Sequence, residues 1–328
     1  MIRIEQSAAL NSIQDLGRYD SRDIGVSVSG AMDTLALRAG NILLNNADNT
    51  AAIEVQIFPF RVRFDQATTI AVTGADCRTL LNGRPLLPWS VRHVAVGDTL
   101  EMRFPVHGAR GYLCVAGGID VPEVLGSRST AFRGGFGGHQ GRALQPGDIL
   151  SLGASAQPTL PDTGFSIAPP EQAMADYFPA PQQDDLLIRV IPSGEFMLFS
   201  ADTQRIWQQS WKISRQSNRT GYRLSGQPLR ASETIELRSY GLIPGIIQVP
   251  PAGEPIIQLS DANTAGGYPK LACVIEQDLW RLAQLQPGKT IRLVESNLAE
   301  ARQVAEAIEH WLISLKDSMV LWGNSVKQ

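Results

Sequence analysis

Two stretches in the second half of the chain hold the residue types that small-molecule chemistry uses. One is Leu259-Ser260-Asp261-Ala262-Asn263-Thr264-Ala265-Gly266-Gly267-Tyr268-Pro269, and the other is Gly245-Ile246-Ile247-Gln248-Val249-Pro250-Pro251. Each reads as an apolar strand that ends in polar residues and then Gly or Pro, the pattern by which a rigid scaffold presents side chains to a ligand. Asp261 follows the apolar run 255–259, where partial desolvation would perturb its pKa. An Asx-turn closed by Asn263 and two glycines explains the glycines but not so many polar groups at once.

A third run, Ser214-Arg215-Gln216-Ser217-Asn218-Arg219-Thr220-Gly221-Tyr222-Arg223-Leu224, is rich in amides, hydroxyls and guanidiniums and contains no Lys, Glu or Asp. Arginine grips a carboxylate through two parallel hydrogen bonds, and Asn or Gln reads the edge of a planar amide. A binding site fits this run better than a solvated loop, which would normally mix in the missing charges. In the first half, Gly25-Val26-Ser27-Val28-Ser29-Gly30-Ala31-Met32-Asp33 sets hydroxyls and a carboxylate just before a helix start, where free N–H groups favour anions. A serine-rich turn capped by Asp33 accounts for those residues at least as well. In Gly134-Gly135-Phe136-Gly137-Gly138-His139-Gln140-Gly141-Arg142 the backbone can approach a ligand closely, with Arg128, Arg133 and Arg142 at hand for an anion; a glycine-rich surface loop fits equally.

Several chemistries have no sequence support. There is no G-x-x-x-x-G-K-[ST] phosphate loop, no G-x-S-x-G elbow and no Met-Lys-Met biotin-attachment tripeptide. His93, His107, His139 and His310 are too dispersed for an H-x-x-x-H metal pair, and no metal site is expected. A formal charge of −3 without a Lys/Arg cluster argues against nucleic-acid binding. The alternating start Met1-Ile2-Arg3-Ile4-Glu5 is no secretory signal, no run is apolar enough to span a bilayer, and Cys77, Cys114 and Cys273 suit a reducing compartment, so the expectation is a cytoplasmic protein with its cysteines in the core.

The elements that must position these residues are mostly strands. Alternation in Ile53–Ile57, Phe60–Phe64 and Leu100–Phe104, the runs 68–73 and 112–116, and a hairpin over 80–86 turning on Asn82-Gly83 predict many short strands, as in barrels or sandwiches. Helices are few: one from Thr34 to about Asn45 capped by Asp33, one over 276–284, and one from an Asn297-Leu298-Ala299-Glu300 capping box to about Leu315. Prolines interrupt residues 154–184, which divides the 328 residues into 1–153, a linker or crossover, and 185–328. Leu144-Gln145-Pro146-Gly147 and Leu285-Gln286-Pro287-Gly288 each lead into a strand near the end of a half, a faint internal echo.

Taken together, Gln14-Asp15-Leu16-Gly17-Arg18, Ser29-Gly30-Ala31-Met32-Asp33, Val115-Ala116-Gly117-Gly118-Ile119, Leu125-Gly126-Ser127-Arg128-Ser129-Thr130, Gln216-Ser217-Asn218-Arg219, Gly221-Tyr222-Arg223 and Gly266-Gly267-Tyr268-Pro269 carry a resemblance over nearly the whole chain. The sequence resembles the allophanate hydrolase subunit 2 or urea amidolyase-like carboxyltransferase family, nearest to its bacterial 5-oxoprolinase C-subunit group. Ala31 departs from that pattern, which often has Pro there, and removes no reactive group.

The resemblance implies two cyclophilin-like β-barrel lobes and an ATP-coupled complex that opens 5-oxoproline, a lactam, to glutamate. The implied partners are the 5-oxoprolinase B-subunit, similar to allophanate hydrolase subunit 1, and the A-subunit, similar to LamB/YcsF proteins. Under this implied chemistry Arg219 holds the substrate carboxylate, Asn218 and Gln248 orient the lactam, and Asp261 accepts the lactam N–H or acts as base. Tyr222, Thr264, Gly266, Gly267, Tyr268, Ser29 and Asp33 complete the expected substrate contacts, and Arg128 and Arg142 meet phosphate. Two rivals stand beside it. One is a biotin-dependent carboxyltransferase acting on urea or a similar amide; the other is a non-catalytic regulator of a kinase-inhibitor-like partner.

Overall fold

In Phe60-Arg61-Val62-Arg63-Phe64 the apolar side chains are buried and the two arginines are not, so a period of two assigns each residue its face. The computed structural model describes every residue except 156, 159, 162, 234–236 and 326–328, and repeats this logic in two units. The first comprises Met1–Arg18, Ser29–Ala173 and the chain from Glu309; the second comprises Tyr19–Val28 and Met174–Ile308. Their main boundary falls inside the proline-rich segment, of which positions 156, 159 and 162 lie outside the described residues. Neither unit is one continuous stretch. Arg22 Nη2 donates to Leu242 O and Ser27 Oγ to Ala262 O at 2.8 Å, which fixes Tyr19–Val28 in the second unit. Glu309 pairs with Arg38, and Trp311 packs edge-on against Trp89, which fixes the end of the chain in the first.

The first unit has two antiparallel sheets. The larger runs in space from Ile119–Asp120 through Ile149–Leu152, Ile2–Gln6, Phe60–Phe64, Thr99–Met102 and Leu80–Leu81 to Arg84–Pro85. The smaller runs from Phe165–Ser166 through Ser90–Val94, Thr68–Asp76, His107–Val115 and Ala52–Val55 to Ser12–Gln14. Ile2, Ile4, Phe60, Val62 and Phe64 of one sheet and Ile53, Val55, Ile70, Val72 and Leu113 of the other share a single apolar cluster. The second unit closes a seven-stranded barrel in the order Asp185–Pro192, Lys270–Val274, Ile246–Gln248, Ile256–Gln258, Gly221–Ser225, Trp211–Ile213, Thr290–Glu295. Asp185–Pro192 and Thr290–Glu295 run parallel, and the other barrel pairs are antiparallel.

The echo between the halves is a shared piece of geometry. Gly147 N donates to Ile4 O and Ile4 N to Asp148 O; Gly288 N donates to Ile213 O and Ile213 N to Lys289 O, all at 2.8–2.9 Å. Both glycines sit at almost the same left-handed φ, 94° and 93°, which a side chain would resist. Each Pro-Gly turn thus locks its strand to an isoleucine on a neighbouring one.

Two of the three predicted helices start at a side-chain cap. Thr34–Ile42 starts at Asp33, whose Oδ1 accepts from Ala36 N at 2.8 Å. It stops before the predicted Asn45 because Asn45 turns left-handed at φ 55°. The second, Glu276–Ala283, ends within a residue of its predicted limit. The last, Leu298–Ser325, outruns its predicted end because the apolar stripe continues through buried Leu312 and Met319. Its capping box is one-sided: Asn297 Oδ1 accepts from Ala299 N and Glu300 N at 3.0 Å, while Glu300 turns to Ser296 and Arg189. Among the described residues no helix is long and apolar enough to cross a membrane. All three cysteines are free; burial pushes the Cys114 thiol up to about 12 and the Cys273 thiol, which is only partly buried, up to about 11.

Candidate functional site in the second unit

The end of the strand Ile246–Gln248 lies opposite the start of Lys270–Val274, with Gln248 and Lys270 as direct cross-strand partners. The register shifts between Ile247, opposite Ala272, and Gln248, opposite Lys270, and this irregularity sets Gln248 and Lys270 side by side. Gln258, on the next strand, joins this row: its Nε2 donates to Gln248 Oε1 at 3.1 Å. Gln248 Nε2 reaches Tyr268 O at 3.3 Å, and Lys270 Nζ donates to Gly266 O at 3.0 Å. All three side chains are buried, Lys270 at 3 % exposure. Three buried polar ends on one barrel wall are therefore satisfied largely by one another and by the backbone of 266–268.

Lys270 is held from several directions. Its ammonium stands 3.0 Å from the centre of the Tyr240 ring, its backbone N–H donates to Glu195 Oε2, and the Tyr240 hydroxyl donates to Glu195 Oε1. Burial lowers the Lys270 pKa, with Glu195 opposing, and burial together with Glu195 raises that of Tyr240. The short strands Tyr240–Gly241 and Ala265–Gly266 pair over this cluster.

Beside the row opens a cleft of about 720 Å³. Val249, Pro250 and Pro251 form one side, Gly267, Tyr268 and Pro269 another, and Phe199 and Leu229 contribute apolar surface. Arg230, Ser232 and Glu233 also line it, so a space of small-molecule size presents charged and polar groups beside apolar surface. Of the predicted residues, Gly267 and Tyr268 line this cleft, while Gln248 and Gly266 are tied to the same segment by hydrogen bonds, Gln248 to Tyr268 O and Gly266 O to Lys270. Tyr268 is 47 % exposed.

The other predicted residues lie elsewhere in the fold. Arg219 Nε and Nη2 donate to Asp261 Oδ2 and Oδ1 at 2.9 and 3.1 Å, and neither residue lines the cleft. The guanidinium foreseen for a substrate carboxylate and the carboxylate foreseen as a base thus meet each other. Asn218 is exposed, and its Oδ1 closes an Asx-turn on Thr220 N at 2.8 Å. The Tyr222 hydroxyl donates to Leu285 O at 3.3 Å from a buried barrel strand. Thr264 enters through its backbone carbonyl, which accepts from Leu242 N.

In the first unit, Ser29 and Asp33 belong to a buried turn and helix cap. Arg128 Nε donates to Val121 O, with Glu123 at 3.4 Å, and Arg142 forms two 2.8 Å hydrogen bonds to Asp148. Buried Asp15 accepts from the Ser127 and Ser129 hydroxyls and from the Arg128 and Gly17 amides, a structural hub that no local pattern marks. Lys270 and Gln258 were likewise missed. Their only signal was position: one follows Gly266-Gly267-Tyr268-Pro269 directly, and the other is the polar residue inside the run 255–259.

The Arg142 hydrogen bonds hold the Asp148 carboxyl below its ordinary value, which carries a pH prediction. A lowered folded-state pKa stabilises the protein above the unfolded value, about 3.9, and that contribution is lost as pH falls through the folded one. Asp148→Asn is expected to flatten the acid limb of the stability profile below about pH 4. Urea midpoints of both proteins between roughly pH 2 and pH 6 test this, and parallel profiles would refute it.

The second β unit thus gathers polar side chains at the ends of its barrel strands. The family profile described as carboxyltransferase domain, subdomain A and B, matches residues 24–295, so the chain belongs to that family. It is 39 % identical over 306 residues to the 5-oxoprolinase C-subunit of Escherichia coli strain K12, covering 92 % of this chain and 93 % of that one. It is 40 % identical over 317 residues to the 5-oxoprolinase C-subunit of Haemophilus influenzae, covering 96 % and 98 %. Among solved structures it is similar to the Kluyveromyces lactis urea amidolyase, with a TM-score of 0.85 and 31 % identity over 96 % of this chain and 20 % of that larger one.

Proposed function

We propose that this chain is one component of an ATP-dependent 5-oxoprolinase and supplies the lactam-binding cleft of its second unit. The observation that carries the reading is near end-to-end similarity, in both directions, to two bacterial proteins named as the C-subunit of 5-oxoprolinase. The cleft supports it chemically. A lactam presents one N–H and one C=O in a plane, and the cleft lining carries polar side chains that can meet such groups, among them Ser232 and Tyr268. The apolar walls suit the ring methylenes. We assign the Arg219–Asp261 pair to holding the loops at the strand ends.

The residues present do not fit ATP. The two arginines foreseen for phosphate have partners of their own, and the sequence has no phosphate loop. We therefore assign nucleotide handling to the partner chains, one similar to allophanate hydrolase subunit 1 and one similar to LamB/YcsF proteins, and no step through ATP to this one. A second reading has its own support in the likeness to urea amidolyase: a biotin-dependent carboxyltransferase acting on a urea-type amide, whose planar group the same cleft would take.

The test is co-expression with both partner chains, followed by 5-oxoproline-dependent glutamate formation and ATP hydrolysis. The complex is expected to be active and this chain alone inactive. A pure, assembled complex that forms no glutamate would sink the proposal, and urea-dependent turnover with a biotin carrier would favour the second reading.

A further inference from the structure

The peptide linking Gly266 to Gly267 joins the buried lysine to the cleft. Its carbonyl accepts from Lys270 Nζ, and its nitrogen belongs to Gly267, which lines the cleft. The bond is trans, so its N–H points opposite to its C=O and therefore away from Lys270. The Gly267 N–H donates to no other described residue. Lys270 Nζ forms no ion pair among the described residues; its close partners are the Gly266 carbonyl and the Tyr240 ring. A side chain at 267 would stand 2.7 Å from Leu237 O, so the position admits glycine alone without a shift of its neighbour.

We propose that the Gly267 N–H is the donor that receives the carbonyl oxygen of the amide substrate, and that Lys270 is a positioning residue acting through it. A cation on the carbonyl of a peptide polarises that peptide and strengthens its N–H as a donor. When a nucleophile attacks an amide carbon, the C=O π electrons move onto oxygen. A fixed N–H aimed at that oxygen stabilises the charge without reorganising. The assignment rests on the reading that the cleft binds an amide; in a urea the same oxygen gains charge by a different route, delocalisation from the nitrogen that loses its proton as it attacks the carboxyl donor.

The test is a titration of the isotope-labelled full chain with 5-oxoproline, followed by NMR at the Gly267 amide. The expected result is a downfield shift of that proton in the wild type, reduced in Lys270→Met and partly regained in Lys270→Arg. Binding that leaves Gly267 unmoved overturns the assignment, as does a wild type that binds neither 5-oxoproline nor urea. In the reconstituted complex Lys270→Met is expected to lower kcat roughly 10–100-fold, with KM within about threefold. A loss confined to KM would overturn the role of Lys270. A Gly267 shift without glutamate formation by the complex would instead defeat the oxoprolinase reading and leave this one standing.

Discussion

Asp278→Ala is expected to destabilise the second unit by about 3–5 kcal/mol, the cost of stranding buried charge. Asp278 is fully buried on the helix Glu276–Ala283 and faces two arginines. Arg189 donates to it three times: from its backbone N at 2.8 Å, from Nε at 3.1 Å and from Nη2 at 2.7 Å. Arg281 Nη1 stands 3.6 Å away while donating to Leu187 O at 2.8 Å. Both guanidiniums lie over the Phe178 ring, at 5.4 and 5.3 Å, and that ring meets Trp280 edge-on.

Removing this one carboxylate leaves two nearly buried cations with only partial compensation, since Glu300 touches Arg189 at 3.4 Å and is itself much more exposed. In an unfolding experiment resolved for this unit, the transition should fall by roughly 10 °C. Asp278→Asn keeps one acceptor oxygen, replaces the other with an NH2 donor and loses the charge, so it should recover only part of the loss. A shift below about 1 kcal/mol in Asp278→Ala would mean that water reaches both arginines, contrary to the burial seen.

The strands and the polar stretches were legible in the sequence for a physical reason. Burial on one face imposes a period of two, as in Phe60–Phe64, and a cap such as Asp33 acts within three residues. The partners of the charged groups were not legible. Arg219 meets Asp261 across 42 residues and Arg189 meets Asp278 across 89, and no local pattern encodes pairings that only barrel closure brings about. Lys270 was hidden for a related reason. A lysine in a strand reads as a solvent-facing residue until its cross-strand partner, Gln248, is known to be buried. The discontinuous units have the same origin, since Tyr19–Val28 carries no sign of the backbone of Leu242 and Ala262 to which it is tied.

That long-range pairing makes Arg219–Asp261 the second large effect. The guanidinium side chain is 3 % exposed and the carboxylate 10 %, so either charge alone would be costly. Asp261→Ala is expected to destabilise the second unit by about 3–5 kcal/mol, because it leaves Arg219 buried without its bidentate partner. Arg219→Met should cost a comparable amount through the stranded carboxylate. The double variant should cost less than the sum by about 1–3 kcal/mol, because no charge remains to be stranded. Urea unfolding of the four proteins at neutral pH measures this coupling. A coupling near zero would mean that the two residues are not a unit. It would reopen the alternative that Arg219 is available to a substrate carboxylate; in that case Arg219→Met should weaken 5-oxoproline binding by roughly tenfold or more while leaving the unfolding midpoint almost unmoved.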